Sequence, residues 1–262
     1  MKNYLKILLI ISVVAITSCR NVKDLTLIRD VENGEIIKSI PAANLEHNLK
    51  IGDILYVSIK STNPEVNMLF NPESNMEAGS YGSFQKWDSP SGAYLYGNEI
   101  DNIGNITLPM LGKIAVIGIP VSQVESLIQK KADEYLKDAI VKVKLLNFKV
   151  IVVGEVRNPG VYYNYNNSIT VIQALAMASG GTDYSSIKKV MVLRPVAEGN
   201  KSFILDLRSK DIYLSEAFYL QPNDYVVVQP DKNKNIQLNS QAYSLVLSSL
   251  SVLLLTYGLF FK

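Results

Sequence analysis

Alternation of apolar and polar residues predicts strands in the first half of the chain. The first strand covers 55–59, where every second side chain is apolar, and it follows a turn at Gly52 and Asp53. Glycine gives such a turn a permissive backbone, and an aspartate side chain can accept hydrogen bonds from turn amides. The same alternation predicts strands on both sides of a turn at 109–112 and a further strand over 139–145.

Apolar residues spaced three and four apart predict two helices. The longer helix covers 122–136 and begins with a capping box formed by Ser122 and Glu125. The shorter helix covers 168–179 and ends at a pair of glycines. Strand patterns in the second half predict a hairpin over 150–162, and single strands over 189–193, 202–207 and 225–228.

Residues 61–102 break this regular pattern. The segment combines several prolines and glycines with aromatic residues, among them Phe70, Trp87 and Tyr94, and it is predicted to be irregular. The aromatic rings could stack on sugar rings. They could instead pin the insertion to its domain, because burial of an aromatic ring is strongly stabilising.

The N-terminus has the features of a bacterial lipoprotein signal. Residues 1–18 combine two early lysines with a short apolar run, and Cys19 follows them directly. This order resembles a lipobox, so a signal peptide is expected to be cleaved before Cys19, leaving that residue to carry a lipid such as palmitate. Residues 19–44 are then expected to form a polar tether. Because Cys19 is the only cysteine, no intramolecular disulfide can form.

The C-terminal stretch 236–261 contains no charged residue. As a helix rising about 1.5 Å per residue, it would cover a hydrocarbon core of roughly 30 Å, so a transmembrane helix is predicted there. A polar stripe with heptad-like spacing runs along it, formed by Gln237, Gln241, Ser244, Ser248 and Ser251. The stripe could be a seam where helices pack, or the wall of a water-filled lumen in a barrel of such helices.

Composition and charge give little support to catalysis or nucleic-acid binding. The chain has 26 Lys and Arg against 24 Asp and Glu, and loss of the two lysines in the signal leaves 24 against 24. No basic block, nucleotide-binding loop or metal-ligand cluster occurs, so no nucleic acid, cofactor or metal is expected. His47, the only histidine, is interpreted as a solvated surface residue. Asp53 and Asp224 stand in similar turns and are interpreted as repeated turn chemistry, so no catalytic residue is predicted.

Several motifs together resemble the outer-membrane polysaccharide export proteins, the Wza-like lipoprotein family. The motif G-x-I-x-L-P-x-L-G begins at Gly104, after the early Gly-Asp turn, and Pro120 stands where the family more often has threonine. The resemblance implies structural roles for Gly52, Asp53, Gly104, Leu108, Pro109, Gly112, Gly118, Gly154, Pro159 and Gly160. These positions run from Gly52 to Gly160.

The resemblance implies an α+β fold with two domains and a C-terminal transmembrane helix. A polysaccharide export domain is expected over 45–148, with 61–102 as its aromatic-rich insertion. One soluble-ligand-binding β-grasp (SLBB) domain is expected over 149–231. The family carries out polysaccharide transport, so the chain is expected to form a porin-like channel for capsular or exopolysaccharide.

The resemblance also implies partners and a location. The channel would be a homo-oligomeric ring, octameric in the family, lipid-anchored at the outer membrane with its body in the periplasm. The implied partners are the polysaccharide, membrane lipid, and an inner-membrane polysaccharide co-polymerase or tyrosine autokinase. A monomeric, membrane-anchored glycan-binding lipoprotein is the alternative. Glycoside cleavage by two carboxylates is a third hypothesis, for which the sequence selects no pair of acids.

Overall fold

Two hydrophobic cores organise the protein. The computed structural model describes residues 26–39, 47–71 and 90–260 of the 262-residue chain. Within this part, one cluster of buried side chains draws on residues from Leu49 to Val143, and the other on residues from Phe148 to Val228. Each core combines strands and helices, so the α+β prediction is confirmed.

The first domain contains a small antiparallel sheet and a separate hairpin. In the sheet, β1 (Ile54–Lys60) lies between β2 (Asn98–Glu99) and β5 (Ile140–Leu145). The hairpin pairs β3 (Asn105–Leu108) with β4 (Gly112–Ala115). These strands fall where the alternating pattern predicted them, because alternate side chains face the core. Leu55 and Ile59, for example, are both buried.

The helix after the hairpin, α3 (Val121–Asp133), covers β5. The predicted capping box is wrong, because Pro120 occupies the N-cap position and offers no side-chain hydrogen bond. The Glu125 carboxylate instead accepts a hydrogen bond from the Val143 amide at 2.9 Å. The Gln129 side chain accepts one from the Val141 amide at 3.0 Å. Helix side chains therefore satisfy edge amides of β5 that have no neighbouring strand.

The predicted irregular segment contains two short helices, α1 (Pro64–Phe70) and α2 (Pro90–Tyr96). The prediction missed α1 although its signals are local: Asn63 caps the helix by accepting a hydrogen bond from the Glu65 amide at 2.9 Å, and a proline follows the cap. Phe70 is buried in the first core, whereas Tyr94 is 76% exposed. Residues 72–89, including Trp87, lie outside the described part.

The second domain is built on a five-stranded sheet in the order β7-β6-β10-β8-β9. The strands are β6 (Lys149–Gly154), β7 (Gly160–Tyr163), β8 (Ser185–Val196), β9 (Gly199–Leu205) and β10 (Tyr225–Pro230). The last strand inserts between the two hairpins, parallel to β6 and antiparallel to β8. The helix between the hairpins and this central last strand give the arrangement of a β-grasp fold.

A short helix and a valine-rich layer fill the second core. The helix α4 (Val171–Met177) is shorter than the predicted 168–179. A capping box between Thr170 and Gln173 begins it, with Thr170 as the N-cap. The inward valines of the three central strands are at most 2% exposed: Val150, Val152, Val190, Val192, Val226 and Val228. Each such side chain stabilises the fold by about 1.5–3 kcal/mol relative to an exposed one. A 3-10 helix, Lys210–Leu214, was not predicted.

Two helices follow the second domain, α5 (Asn233–Leu238) and α6 (Ser240–Phe260), and they are separated at Asn239. Among the described residues, no helix combines the length and the apolar character that a membrane crossing needs. The predicted transmembrane helix over 236–261 is therefore not supported. The helix begins anew at Ser240, and hydroxyl and amide side chains interrupt its run of leucines.

Candidate functional site

The turn before β1 is held by a buried aspartate. The Asp53 carboxylate accepts a hydrogen bond from the Lys50 amide at 2.9 Å, and its Oδ2 lies 2.7 Å from Nε2 of His47. Gly52 supplies the left-handed backbone conformation of this turn. The interpretation of His47 as a solvated residue is wrong, since only 11% of its side chain is exposed.

The same turn chemistry recurs in the second domain. The Asp224 carboxylate accepts a hydrogen bond from the Gln221 amide at 2.8 Å, and Asn223 takes the left-handed position that Gly52 occupies in the first turn. In both turns the aspartate amide donates to the carbonyl three residues earlier. The interpretation of Asp53 and Asp224 as repeated turn chemistry is therefore confirmed. They serve separate cores, as two structural carboxylates would.

Asp224, unlike Asp53, is paired with an arginine. Arg194 donates to it through Nε at 3.1 Å and through a terminal nitrogen at 2.8 Å, and Arg194 also donates to the Tyr219 carbonyl at 3.0 Å. The guanidinium lies 5.4 Å from the centre of the Phe203 ring. Sequence reasoning missed this pair. The available signal was an arginine in the alternating register of Val190 and Val192, which places it on the inward face.

The motif G-x-I-x-L-P-x-L-G, which begins at Gly104, forms the tight hairpin of β3 and β4. Leu108 is buried, the Leu111 amide donates to the Pro109 carbonyl at 2.7 Å, and Gly112 begins β4. Gly104 precedes the hairpin, and a Cβ there would lie 2.5 Å from Cγ2 of Ile117. Gly118 follows β4, and its amide donates to the Leu49 carbonyl. The motif glycines therefore lie at turns that bring neighbouring segments together.

A second motif forms the loop between β6 and β7. Gly154 ends β6, and a Cβ on it would lie 2.1 Å from the Val228 carbonyl oxygen of the neighbouring strand. Past it, the Asn158 side chain donates to the Ser179 hydroxyl at 2.8 Å. Pro159 and Gly160 then lead into β7. The loop is thus joined to the end of α4, which lies far from it in sequence.

The next residue, Glu155, connects the second domain to α5. Its carboxylate forms an ion pair with Lys234 and accepts a hydrogen bond from the Thr182 hydroxyl at 2.8 Å. The hydrogen bond from Lys234, followed by that from Thr182, holds the pKa of Glu155 below its ordinary value. The Asp231 amide also donates to the Tyr184 carbonyl at 2.7 Å. The C-terminal helices are therefore fixed at their base.

The polar stripe is divided between two helices, with Gln237 on α5 and the other members on α6. Its serines bond to their own helix. The Ser244 hydroxyl donates to the Gln241 carbonyl at 2.8 Å, and the Ser251 hydroxyl to the Ser248 carbonyl at 2.7 Å. Because these donors are already satisfied, the serines can pack against a neighbouring apolar surface at little polar cost.

The side chains described above either make structural contacts or form exposed surface. Across 26–39, 47–71 and 90–260, no group of three or more His, Cys, Asp or Glu side chains is placed to hold a metal ion. The leucines of α6 form a long apolar surface, with Leu245 71% and Leu253 64% exposed. A surface of this kind suits association with other chains. Cys19 lies outside the described residues.

Comparison with known proteins identifies the two domains. Residues 41–146 match the family described as polysaccharide biosynthesis/export protein, and residues 148–228 match the SLBB domain. The chain therefore carries a polysaccharide biosynthesis/export domain followed by an SLBB domain.

Curated relatives match a shorter stretch. Two proteins named polysialic acid transport protein KpsD, from Escherichia coli, are 35% and 34% identical to this chain over 99 residues. The matched stretch is 36% of this chain and 17% of each relative. The similarity therefore concerns a part of those longer proteins.

Proposed function

We propose that this protein is a subunit of a channel that exports capsular or exopolysaccharide across the outer membrane. The observation that carries the proposal is the succession of an export domain and an SLBB domain on one chain. The relatives named as polysialic acid transport proteins support a polysaccharide as the cargo. The proposed mechanism is passage of the polymer through the channel, with no covalent step on this chain.

The channel would be a closed homo-oligomeric ring. A chain that contacts copies of itself through two different surfaces forms a ring when the rotation closes. The exposed leucines of α6 offer one such surface. The stripe formed by Gln237, Gln241, Ser244, Ser248 and Ser251 would either face the next helix or line the lumen. An octamer is the stoichiometry that the family resemblance implies.

The ring would be attached to the outer membrane by a lipid on Cys19, with its domains in the periplasm. Its proposed partners are an inner-membrane polysaccharide co-polymerase or a tyrosine autokinase, which would supply the polymer and the energy. The structural roles of the family-motif glycines and prolines, including Gly52, Pro109 and Pro159, would be to fix the turns that shape each domain.

Native mass and electron microscopy of the purified full-length protein test the ring. A channel requires a closed oligomer, with a central hole visible in projection along the ring axis. Dispersed single chains that bind polysaccharide would refute the channel and favour a monomeric glycan-binding lipoprotein. A deletion strain tests the third hypothesis, an enzyme. Loss of polysaccharide export without loss of polysaccharide cleavage would refute it.

Cysteine substitution tests the role of the stripe. A hydrophilic thiol reagent should label Ser244→Cys and Ser248→Cys in the assembled protein if the stripe lines the lumen. Leu245→Cys and Leu253→Cys are the matched controls, because both leucines are well exposed in the single chain. Protection of the serine positions and labelling of the leucine positions would instead identify the stripe as a helix-packing seam.

A further inference from the structure

We propose that copies of this chain pair head to tail through opposite sides of the SLBB domain. One side is the apolar outer face of the five-stranded sheet. The other side is an acidic surface, which residues 27–36 form together with the 3-10 helix Lys210–Leu214. The pairing rests on the proposed closed ring, and it names the surfaces through which neighbouring SLBB domains contact each other in that ring.

The three central strands of the sheet are apolar on both faces. Residues 150–153, 190–193 and 225–228 contain no charged residue. Such continuous apolar runs are typical of strands that are buried on both sides, whereas a strand with one solvated face alternates with polar residues. The inward side chains, such as Val150 and Val226, fill the second core. The outward side chains therefore form a second apolar layer.

The register aligns these outward side chains in two rows, which together are called the outer face. The first row crosses β7, β6, β10 and β8 through Val161, Ile151, Tyr225 and Leu193. The second row crosses β6, β10, β8 and β9 through Val153, Val227, Met191 and Ile204. The outer face is thus continuous across the whole sheet.

The outer face is open to solvent in the single chain. Ile204 at one end is 68% exposed, and Val161 at the other end is 51% exposed. Eight side chains spaced about 5 Å across the strands and about 7 Å along them cover roughly 300 Å². Exposed apolar patches of this size mark interaction sites. The area suits the apolar centre of a specific interface, which buries about 800 Å² per partner and has a polar rim.

Two lysines border the outer face. Lys149 and Lys189 have the same outward register as Ile151 and Met191. No acidic residue has this register in any of the five strands. The border is therefore positively charged, and it favours an occupant whose own apolar surface is bordered by acids.

The acidic surface has this complementary character. Leu27, Ile36 and Leu214 are exposed apolar residues, and the exposed Glu32 and Asp211 lie among them. Residues 27–36 contain three acids and one base, and the charges of Lys210 and Asp211 cancel, so the net charge of the surface is −2. A second copy of this chain therefore offers the chemistry that the outer face requires.

The two surfaces point away from each other. The Asp30 carboxylate accepts a hydrogen bond from the Lys210 amide at 2.8 Å, which holds residues 27–36 beside the 3-10 helix. That helix covers the inward side of the sheet, because Ile212 is buried in the core that the inward valines form. The inward Arg194 likewise donates to the Tyr219 carbonyl, just beyond the helix. Complementary surfaces on opposite sides of one domain produce a head-to-tail contact, which a ring repeats until it closes.

Cross-linking of the purified full-length protein in detergent tests the pairing. Ile204→Cys places a thiol on the outer face, Ile36→Cys places one on the acidic surface, and a flexible bis-maleimide is the probe. The double variant should give a ladder of cross-linked dimers, trimers and larger species on denaturing gels, because each copy then reacts with two neighbours. Each single variant should stay monomeric and controls for Cys19, which all three proteins share. Cross-linked dimers of Ile204→Cys alone would show that two outer faces meet, which would overturn the head-to-tail pairing.

Substitutions test the same surfaces without a cross-linker. Ile204→Glu introduces a carboxylate into an apolar contact, so it should weaken assembly at least about tenfold, measured as native mass across a range of protein concentrations. Val196→Glu makes the same kind of change at the exposed end of β8, outside both surfaces, and should leave assembly unchanged. Equal assembly of these two variants would overturn the pairing.

A charge exchange tests the choice of partner surface. Lys189→Glu should weaken assembly, and the addition of Glu32→Lys should restore it, because opposite charges then face each other again. If Glu32→Lys did not restore assembly, the acidic surface would not be the partner of the outer face.

Failure of this pairing can be distinguished from failure of the channel. Protein that remains a single chain at every concentration would refute the ring and the pairing with it. A closed oligomer with a central hole that gives no ladder and tolerates Ile204→Glu would overturn the pairing alone. Protection of Ile204→Cys from a maleimide in dispersed single chains would show that another part of the same chain covers the outer face, and this result would also overturn the pairing alone.

Discussion

Neutralising Asp224 should strongly destabilise the SLBB domain. Its side chain is fully buried and 9% of the Arg194 side chain is exposed, so water cannot replace the lost partner. Asp224→Asn keeps the shape of the side chain and an oxygen for the Gln221 amide, but it leaves the Arg194 guanidinium without a counter-charge. Removing one member of a buried ion pair costs about 3–5 kcal/mol.

That loss is a large part of the total stability, which is about 5–15 kcal/mol for a typical domain. At about 2–4 °C per kcal/mol, the midpoint of thermal unfolding should fall by about 6–20 °C. Calorimetry of the full-length protein measures it. The control is Glu216→Gln, because the Lys201–Glu216 pair is exposed and screened by water, and its midpoint should hardly change.

A double variant separates the charge from the packing. Arg194→Met combined with Asp224→Asn removes both charges, so it should be less destabilised than the sum of the two single variants. If Asp224→Asn unfolded at the same temperature as the Glu216→Gln control, the buried pair would not be the stabilising element inferred here.

Three further predictions concern other contacts. Gly154→Ala should lower the free energy of unfolding, measured by chemical denaturation, by more than about 1 kcal/mol, because its Cβ would collide with a carbonyl oxygen. Gly160→Ala is the control: a Cβ there has no atom closer than 4.0 Å, so its effect should be much smaller. Glu155 has a lowered pKa, so its contribution to stability should be complete above its ordinary pKa of 4.5 and should decline as the pH falls through the folded-state pKa. The free energies of unfolding of the unchanged protein and of Glu155→Gln, compared across this pH range, should therefore converge at low pH. A difference that stays constant with pH would contradict this prediction. His47→Ala removes a hydrogen bond to a buried carboxylate, so it should lower the free energy of unfolding of the export domain by about 1.5–3 kcal/mol. An unchanged unfolding midpoint would show that the Lys50 amide alone satisfies Asp53.

Local patterns predicted most of the elements because each reflects interactions between near neighbours in sequence. Strands β1 and β5 followed from alternation, and the turns at Asp53 and Asp224 followed from residue types that suit them. Where one side chain could make either of two contacts, the sequence did not predict which contact forms. The side chain of Glu125 could cap its own helix or reach another element, and only the packing of α3 against β5 decided for the Val143 amide.

The sequence by itself determined the main strands of both domains, the helices α3 and α4, the two turn motifs, and the resemblance to the polysaccharide export proteins. The tertiary structure decided the contacts between distant segments. It placed β10 between the two hairpins, gave Arg194 its buried partner, and brought Asp30 to the 3-10 helix. The physical reason is that these contacts depend on the three-dimensional path of the whole chain, whereas alternation, capping and turn preferences act over a few residues.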